Sequence, residues 1–283
     1  MAEFIIIAND TCDLPEDMLR ELDICVLPLG INIGEETFTN LAPEEFYQKM
    51  REGAMPTTNA ANPIQYIELL EPALQAGKDV LCLAFSSGLS TTYNSAVMAG
   101  QEMSEKYPDR KIYVVDTRCA SLGDGLLVRG AAARRQAGET IEAVRDWAEE
   151  TKENVAHWFM VDDLGHLKRG GRISPAAAIM GGMLGIKPIL RMDSDGRLAS
   201  ADKARGRQAG LKRLVTQVAK TCANLPEATV YISHADCYDD AVRLGEEMKA
   251  LGVKEVFINF ITPVIGSHTG VGAITAIFSA TER

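Results

Sequence analysis

The 283-residue chain is poor in aromatics, which make up 6% of it, and it has no Cys-x-x-Cys pair, no basic excess and no long unbroken apolar run. Each shortage removes a class of function. The most apolar later stretch, residues 176–186, is broken by glycines, bounded by Pro175 and Lys187 and too short to cross a bilayer, so no transmembrane segment is expected. The start, Met1-Ala2-Glu3 before a short apolar run, has neither the basic opening nor the length of a secretory signal. The six cysteines (Cys12, Cys25, Cys82, Cys119, Cys222, Cys237) lie far apart, several inside apolar runs where a free thiol acts as a small hydrophobe. A reducing, cytoplasmic setting is therefore expected. With 29 Lys and Arg against 39 Asp and Glu the net charge is −10, which argues against nucleic acid as a partner.

The usual cofactor signatures are missing as well. No Gly-x-Gly-x-x-Gly and no Gly-x-x-x-x-Gly-Lys-Ser/Thr occurs, so neither a dinucleotide nor ATP has a binding motif, and no cofactor is expected. His157, His166, His234 and His268 form no compact ligand set, and no metal is expected.

What is present is 46% apolar and 24% charged sequence, long enough for one large domain or two, with a core burying about three quarters of the unfolded surface. Residues 4–8, 80–85 and 111–115 are short apolar runs with β-branched residues. The last two flank a segment, 89–107, in which Leu89, Tyr93, Ala96, Gly100 and Met103 recur at spacings of three and four. This alternation predicts a parallel α/β sheet with a helix packed on it. Residues 43–52 and 63–74 read as helices opening on proline, and 122–136 and 140–154 as two more. A boundary near 155 divides the chain into residues 1–155, an N-terminal α/β domain, and 156–283, a C-terminal mixed α/β domain. In the second, strands are expected at 157–161, 187–192, 229–233, 255–261 and 273–279, helices at 175–184, 206–222 and 239–251, and a hairpin turn at Asp193-Ser194-Asp195-Gly196.

Three polar segments remain. Ser86-Ser87-Gly88-Leu89-Ser90-Thr91-Thr92 leaves a strand and opens a helix, a place for an anion such as a carboxylate, or simply for a capping serine at Ser86 or Ser87. It departs from a nucleophile elbow at Thr92, where glycine would stand. Pro56-Thr57-Thr58-Asn59-Ala60-Ala61-Asn62-Pro63 reads as a polar loop with Asn62 capping the next helix, which leaves Thr57, Thr58 and Asn59 without a structural task. Gly266-Ser267-His268-Thr269-Gly270-Val271-Gly272 reads as a glycine-rich loop whose histidine could donate to a carboxylate, act as a base, or lie in solvent. Two basic clusters, Lys168-Arg169-Gly170-Gly171-Arg172 and Lys203-Ala204-Arg205-Gly206-Arg207, suit an acidic partner or are solvated helix ends.

Together with Asn9-Asp10-Thr11-Cys12-Asp13, Val115-Asp116-Thr117 and Ile186-Lys187-Pro188, these segments run in the order of the DegV family of bacterial lipid-binding proteins, and the chain resembles that family over essentially its whole length. The resemblance implies two α/β domains with a fatty acid enclosed between them, as in the fatty-acid-binding component of fatty acid kinase. By motif, Thr58, Ser90 and His268 would hold the carboxylate, with Asn59 and Thr91 beside them. Arg172 and Arg205 would engage the partner, a separate ATP-dependent kinase subunit. The expected role is a substrate carrier without catalysis of its own; a carrier uncoupled from any kinase, or a serine hydrolase using Ser90 and His268 with Asp116 or another acid as orienter, are the alternatives. Where the family has Thr-Ser-Gln-Pro, Leu-Ser-Gly-Thr and His-x-Gly-Pro-Gly, this chain has Thr58-Asn59-Ala60-Ala61, Leu89-Ser90-Thr91-Thr92 and His268-Thr269-Gly270-Val271-Gly272, which leaves the three carboxylate residues in place. Met98, Met160, Met180, Met183 and Met192 are candidates for an adaptable lining.

Overall fold

The structure is a computed structural model and describes residues 3–173 and 185–281. The helix expected at 175–184, with Met180 and Met183, lies outside the described residues.

The run of apolar residues near the start forms β1 (Phe4–Asn9), all six positions of which are buried. Burial on both faces is the mark of a central parallel strand. It lies between β2 (Ile24–Leu27) and β6 (Asp79–Ala84), and β7 (Ile112–Asp116) pairs with β6, every pairing parallel. The period of two sends Ile5 and Ile7 to one side, against α3 (Pro63–Gln75) and α4 (Thr92–Lys106). Phe4, Ile6 and Ala8 face the other side, against α5 (Leu122–Gln136) and α6 (Ile141–Thr151). The predicted stripe of α4 is inward as expected, with Ala96, Gly100 and Met103 buried. Asn62 caps α3 in a reciprocal capping box with Gln65, and Pro63 occupies its first turn.

A second, three-stranded antiparallel sheet was not foreseen. It joins β4 (Glu36–Phe38), β3 (Gly30–Ile33) and β5 (Thr57–Asn59). The expected polar loop at 56–63 is thus in part a strand, with Thr58 opposite Ile31.

From Val155 onward the chain builds one six-stranded mixed sheet, in the order β10-β9-β8-β13-β11-β12. Its strands are β8 (Val155–Met160), β9 (Ile186–Met192), β10 (Leu198–Arg205), β11 (Thr229–His234), β12 (Glu255–Phe260) and β13 (Ile274–Ser279). Only β11 and β12 pair in parallel. Helices α8 (Arg207–Thr221) and α9 (Tyr238–Ala250) cover one face through Leu211, Leu214, Val218, Leu244 and Met248. From the opposite face Phe159, Leu190 and Met192 join the apolar cluster of Ile5 and Ile7, while Val155, Tyr231 and Ile277 join that of Phe4 and Ile6. The uncovered face of the six-stranded sheet therefore packs on the first half of the chain, and apolar side chains of both halves converge in the seam between them.

The predicted turn at 193–196 closes the β9–β10 hairpin, and Gly196 there has φ +70°. Its tip rests on the Ser86–Ser90 segment: Ser86 Oγ donates to the Gly196 carbonyl at 2.8 Å, and a Cβ at Gly88 would lie 2.6 Å from the carbonyl oxygens of Asp195 and Gly196. Only glycine permits that approach.

Two further expectations are corrected. The segment 266–272 is not simply a loop: α10 (Pro263–Thr269) carries His268 in its last turn, because Thr262-Pro263 starts a helix that Gly270, at φ +78°, ends. Neither Ser86 nor Ser87 caps α4, whose N-cap is Thr91 without a side-chain capping bond; Ser87 instead binds Asp116 through its amide at 3.0 Å and its hydroxyl at 2.5 Å. No helix among the described residues is long and apolar enough to cross a membrane.

Candidate functional site

The seam encloses a cavity of about 80 Å3. Leu29, Phe85 and Leu89 line it from the first half, and Phe159, Met192, Leu198, Ile261, Val264 and Ile277 from the second. Polar groups reach it at few places, as in most small-molecule sites.

Thr58 and His268 meet at one such place, and Ser90 lines the same cavity. Strand alternation explains Thr58: its neighbours Thr57 and Asn59 are exposed, while Thr58 turns inward and its Oγ1 shares a 2.8 Å hydrogen bond with Nε2 of His268. Ser90 stands in the turn before α4, its Oγ 2.8 Å from Thr92 Oγ1 and accepting from Thr92 N at 3.2 Å. Thr92 in turn accepts from Ala61 N, which ties this turn to the segment that carries Thr58.

The other named residues are placed differently. Asn59 borders the cavity, but its side-chain amide exchanges bonds with Asn32 on the outer side of the small sheet. Thr91 is exposed and does not line the cavity. Arg172 does line it, half-buried, its Nε donating to the Leu89 carbonyl at 3.1 Å and Nη1 to that of Gly170. Arg205 ends β10 and is exposed. Among the methionines Met192 lines the cavity, whereas Met98 is 59% exposed and Met160 is buried on the α8–α9 side of the sheet.

Burial pushes His268 down to about 4, and the positive charges of Arg172 and His166 act in the same direction. The imidazole is neutral near pH 7. Its Nδ1 is buried and has no hydrogen-bond partner among the described residues. Gly170 makes room for it, since a Cβ there would stand 2.2 Å from Nδ1.

A measurable consequence concerns stability. The unfolded chain takes up a proton at His268 near pH 6.5 and the folded chain only near 4, so the stability associated with the neutral ring is complete above 6.5 and is lost as pH falls toward 4. Asp10 and Asp13, raised from 3.8 to about 7 chiefly by burial, act with the opposite sign and lose stability as pH rises through that window. Comparison with His268→Gln isolates the histidine. In urea unfolding of ligand-free protein, the stability of the parent relative to this variant is expected to drop by about 3 kcal/mol between pH 7 and 4; a flat difference would contradict the assignment.

Sequence reasoning missed the other polar place in the wall. Ser121, His157 and Thr275 also line the cavity. Ser121 Oγ is 2.7 Å from Ser233 Oγ, which is 2.8 Å from Thr275 Oγ1, and Ser121 also donates to Asp13. His157 Nδ1 lies 3.1 Å from the Val155 carbonyl. These residues come together only through the packing of the two halves, and no local motif marks them.

Chemically, the wall of a mainly apolar cavity offers a neutral imidazole with the Thr58 hydroxyl beside it and the Ser90 hydroxyl on the same lining, an arrangement that fits an amphiphile with a small oxygen-bearing head. Asp116 is engaged by Ser87 and the Arg118 amide, so it does not orient His268.

Comparison with known proteins agrees with this architecture. The profile described as an uncharacterised protein, DegV family, matches residues 3–281. A DegV domain-containing protein of Clostridium perfringens is 44% identical over 284 residues, covering 98% of each chain. Among solved structures, a DegV family protein from Thermus thermophilus described by its fatty acid binding superposes with a TM-score of 0.88 at 33% identity, covering 98% of this chain and 99% of that one. DegV from Bacillus subtilis, described as a fatty acid binding protein, superposes with a TM-score of 0.86 at 28% identity, covering 99% and 100%. By the extent of the profile match and the identity to its relatives, the chain belongs to the DegV family.

Proposed function

We propose that the protein binds a long-chain fatty acid in the seam cavity, its carboxylate held by Thr58, Ser90 and His268, and presents that carboxylate to a separate ATP-dependent kinase for conversion to acyl phosphate. The observation that carries this reading is the convergence of Thr58 and His268, 2.8 Å apart, with Ser90 on the wall of an otherwise mainly apolar cavity. The fatty acid binding described for the Thermus and Bacillus relatives supports it. Burying about 14 methylenes at ~0.8 kcal/mol each contributes on the order of 11 kcal/mol before ordering costs, so the tail sets affinity and the polar groups set direction.

A cavity of about 80 Å3 is roughly half the size of one that holds a single benzene. Uptake of a long chain therefore requires lining side chains to move apart, a change that Met192 and Leu198 can follow by switching rotamers.

The kinase partner is proposed because no described segment carries an ATP-binding motif, while Arg172 at the cavity wall and exposed Arg205 offer a cationic contact in an acidic chain. In that step a carboxylate oxygen attacks the γ-phosphorus of ATP held by the kinase, and ADP departs. A hydrolase reading is not favoured, since Ser90 bonds to Thr92 rather than to His268 and, among the described residues, no carboxylate engages His268 Nδ1.

The test is to mix fatty-acid-loaded protein with ATP and the purified kinase subunit of the same organism, trapping acyl phosphate as its hydroxamate. One product per ADP released is expected, and Arg205→Glu is expected to slow it at least about tenfold without changing fatty acid affinity. Loaded protein that yields no hydroxamate would contradict the kinase step and favour a carrier that acts without one.

A further inference from the structure

Part of the wall of the seam cavity is a hairpin that has left its sheet. The register of β9 with β8 stops at Arg191, although β8 runs on to its start at Val155. β10 is the outer strand of the six and pairs with β9 alone. Its register shifts between Ser200 and Asp202, so Ala201 is an extra residue that bends the strand there. Past Arg191 the hairpin is a two-stranded overhang whose last pair is Met192 with Leu198, and both of these side chains line the cavity. From the first half Phe85, Leu89 and Ser90, in the segment that leads into α4, line the same cavity.

The tip of the overhang is tied to that segment through its own backbone. Ser86 Oγ donates to the Gly196 carbonyl at 2.8 Å, and Arg118 Nη1 donates to the Ser194 carbonyl at 3.2 Å. Gly88 lets the two segments touch, since a Cβ there would stand 2.6 Å from the carbonyl oxygens of Asp195 and Gly196. The tip, Asp193-Ser194-Asp195-Gly196-Arg197, has no apolar side chain to anchor it. Asp193 makes it a unit of its own by accepting from the amides of Asp195 at 3.0 Å and Arg197 at 2.9 Å. Two hydrogen bonds and one close approach make a modest closure, and a self-contained turn can leave and regain it as one piece. The cavity gives that movement a task, because at about 80 Å3 it does not admit a long acyl chain while its wall is shut.

We propose that the overhang of β9 and β10 is a flap over the seam cavity: lifting its tip off Ser86 and Gly88 withdraws Met192 and Leu198 from the wall and lets the acyl chain in or out. The inference rests on the fatty acid reading of the cavity and adds to it the step that sets the rate of exchange. Ser86, Gly88 and Arg118 do not line the cavity, so their contacts hold the flap and not the ligand. Closures of this kind open in microseconds to milliseconds, and the fraction of time the tip is lifted then limits entry and exit alike.

The test uses the full chain and three variants. Ser86→Ala and Arg118→Gln each remove one tie, and Gly88→Ala sets a methyl against the tip. Arg118→Gln also loses the exposed pair with Glu153, which is worth little. Stopped-flow measurement with a fluorescent long-chain fatty acid gives the association and dissociation rates, and displacement of that probe by palmitate gives the affinity. Ser86→Ala and Arg118→Gln are each expected to raise both rates about two- to tenfold, the effect of one lost hydrogen bond, and Gly88→Ala to raise them at least about tenfold. Palmitate affinity is expected to change less than about threefold, because the flap closes on empty and loaded protein alike. The first two variants carry the test if Gly88→Ala does not fold. Unchanged rates would overturn the flap while leaving the fatty acid reading standing, and so would faster dissociation with unchanged association, the mark of contacts that only support the bound chain. Parent protein that takes up neither the probe nor palmitate would overturn both.

Discussion

Replacing His268 with alanine is expected to weaken fatty acid affinity about ten- to hundredfold without unfolding the protein. The ring stands at the end of α10 and is positioned by Thr58 and by the space that Gly170 leaves, and it can donate to a carboxylate from a poorly solvated place. A hydrogen bond to a charged group in such a setting is worth about 1.5–3 kcal/mol, which gives that range of affinity. Thr58→Val removes both a direct donor and the bond that fixes the ring, so its effect should match that of His268→Ala. The double variant should then lose less than the product of the two single losses, because they act through one unit. Ser90→Ala should add its own loss, since Ser90 is tied to Thr92 rather than to the ring. Displacement titration of a fluorescent fatty acid checks all three, and unchanged affinity in His268→Ala would remove the assigned role.

Asp13→Ala is expected to destabilise the protein by about 3 kcal/mol or more. Asp13 is fully buried, in the left-handed region at φ 53°, and it joins the two halves. Its Oδ1 accepts from Thr262 N at 2.9 Å and Thr262 Oγ1 at 2.6 Å, its Oδ2 from Ser121, and its carbonyl from Asn259 Nδ2 at 2.7 Å. Removing the carboxylate leaves Thr262 N without its acceptor inside the seam. The hydroxyl chain from Ser121 through Ser233 to Thr275 also loses its terminal acceptor, and two members of that chain line the ligand cavity. Urea unfolding at constant slope should report the loss as a lower midpoint. A change under about 1 kcal/mol would show that Asp13 does not hold the halves together.

The parallel sheet was legible because β1, β6 and β7 are apolar on both faces, and α4 because its inward positions keep helical spacing. The start of α3 was legible because Asn62 and Pro63 carry local capping chemistry. The small sheet was not, since β4 and β5 are three residues each and largely exposed, with no apolar alternation to mark them. Glycines at 266, 270 and 272 made α10 look like a loop, although only the last two have positive φ and Gly266 sits inside the helix against Tyr47. Thr58, Ser90 and His268 came from motif resemblance, and all three are among the residues that line the cavity. Ser121, His157 and Thr275 were invisible because their shared wall exists only once the six-stranded sheet is docked on the first half.

The most direct measurement is mass spectrometry of purified protein under native conditions, paired with analysis of the organic extract after denaturation. A near-stoichiometric fatty acid, lost or strongly reduced in His268→Ala, is the expected result. Protein that carries no fatty acid and takes up none when it is supplied would contradict the account.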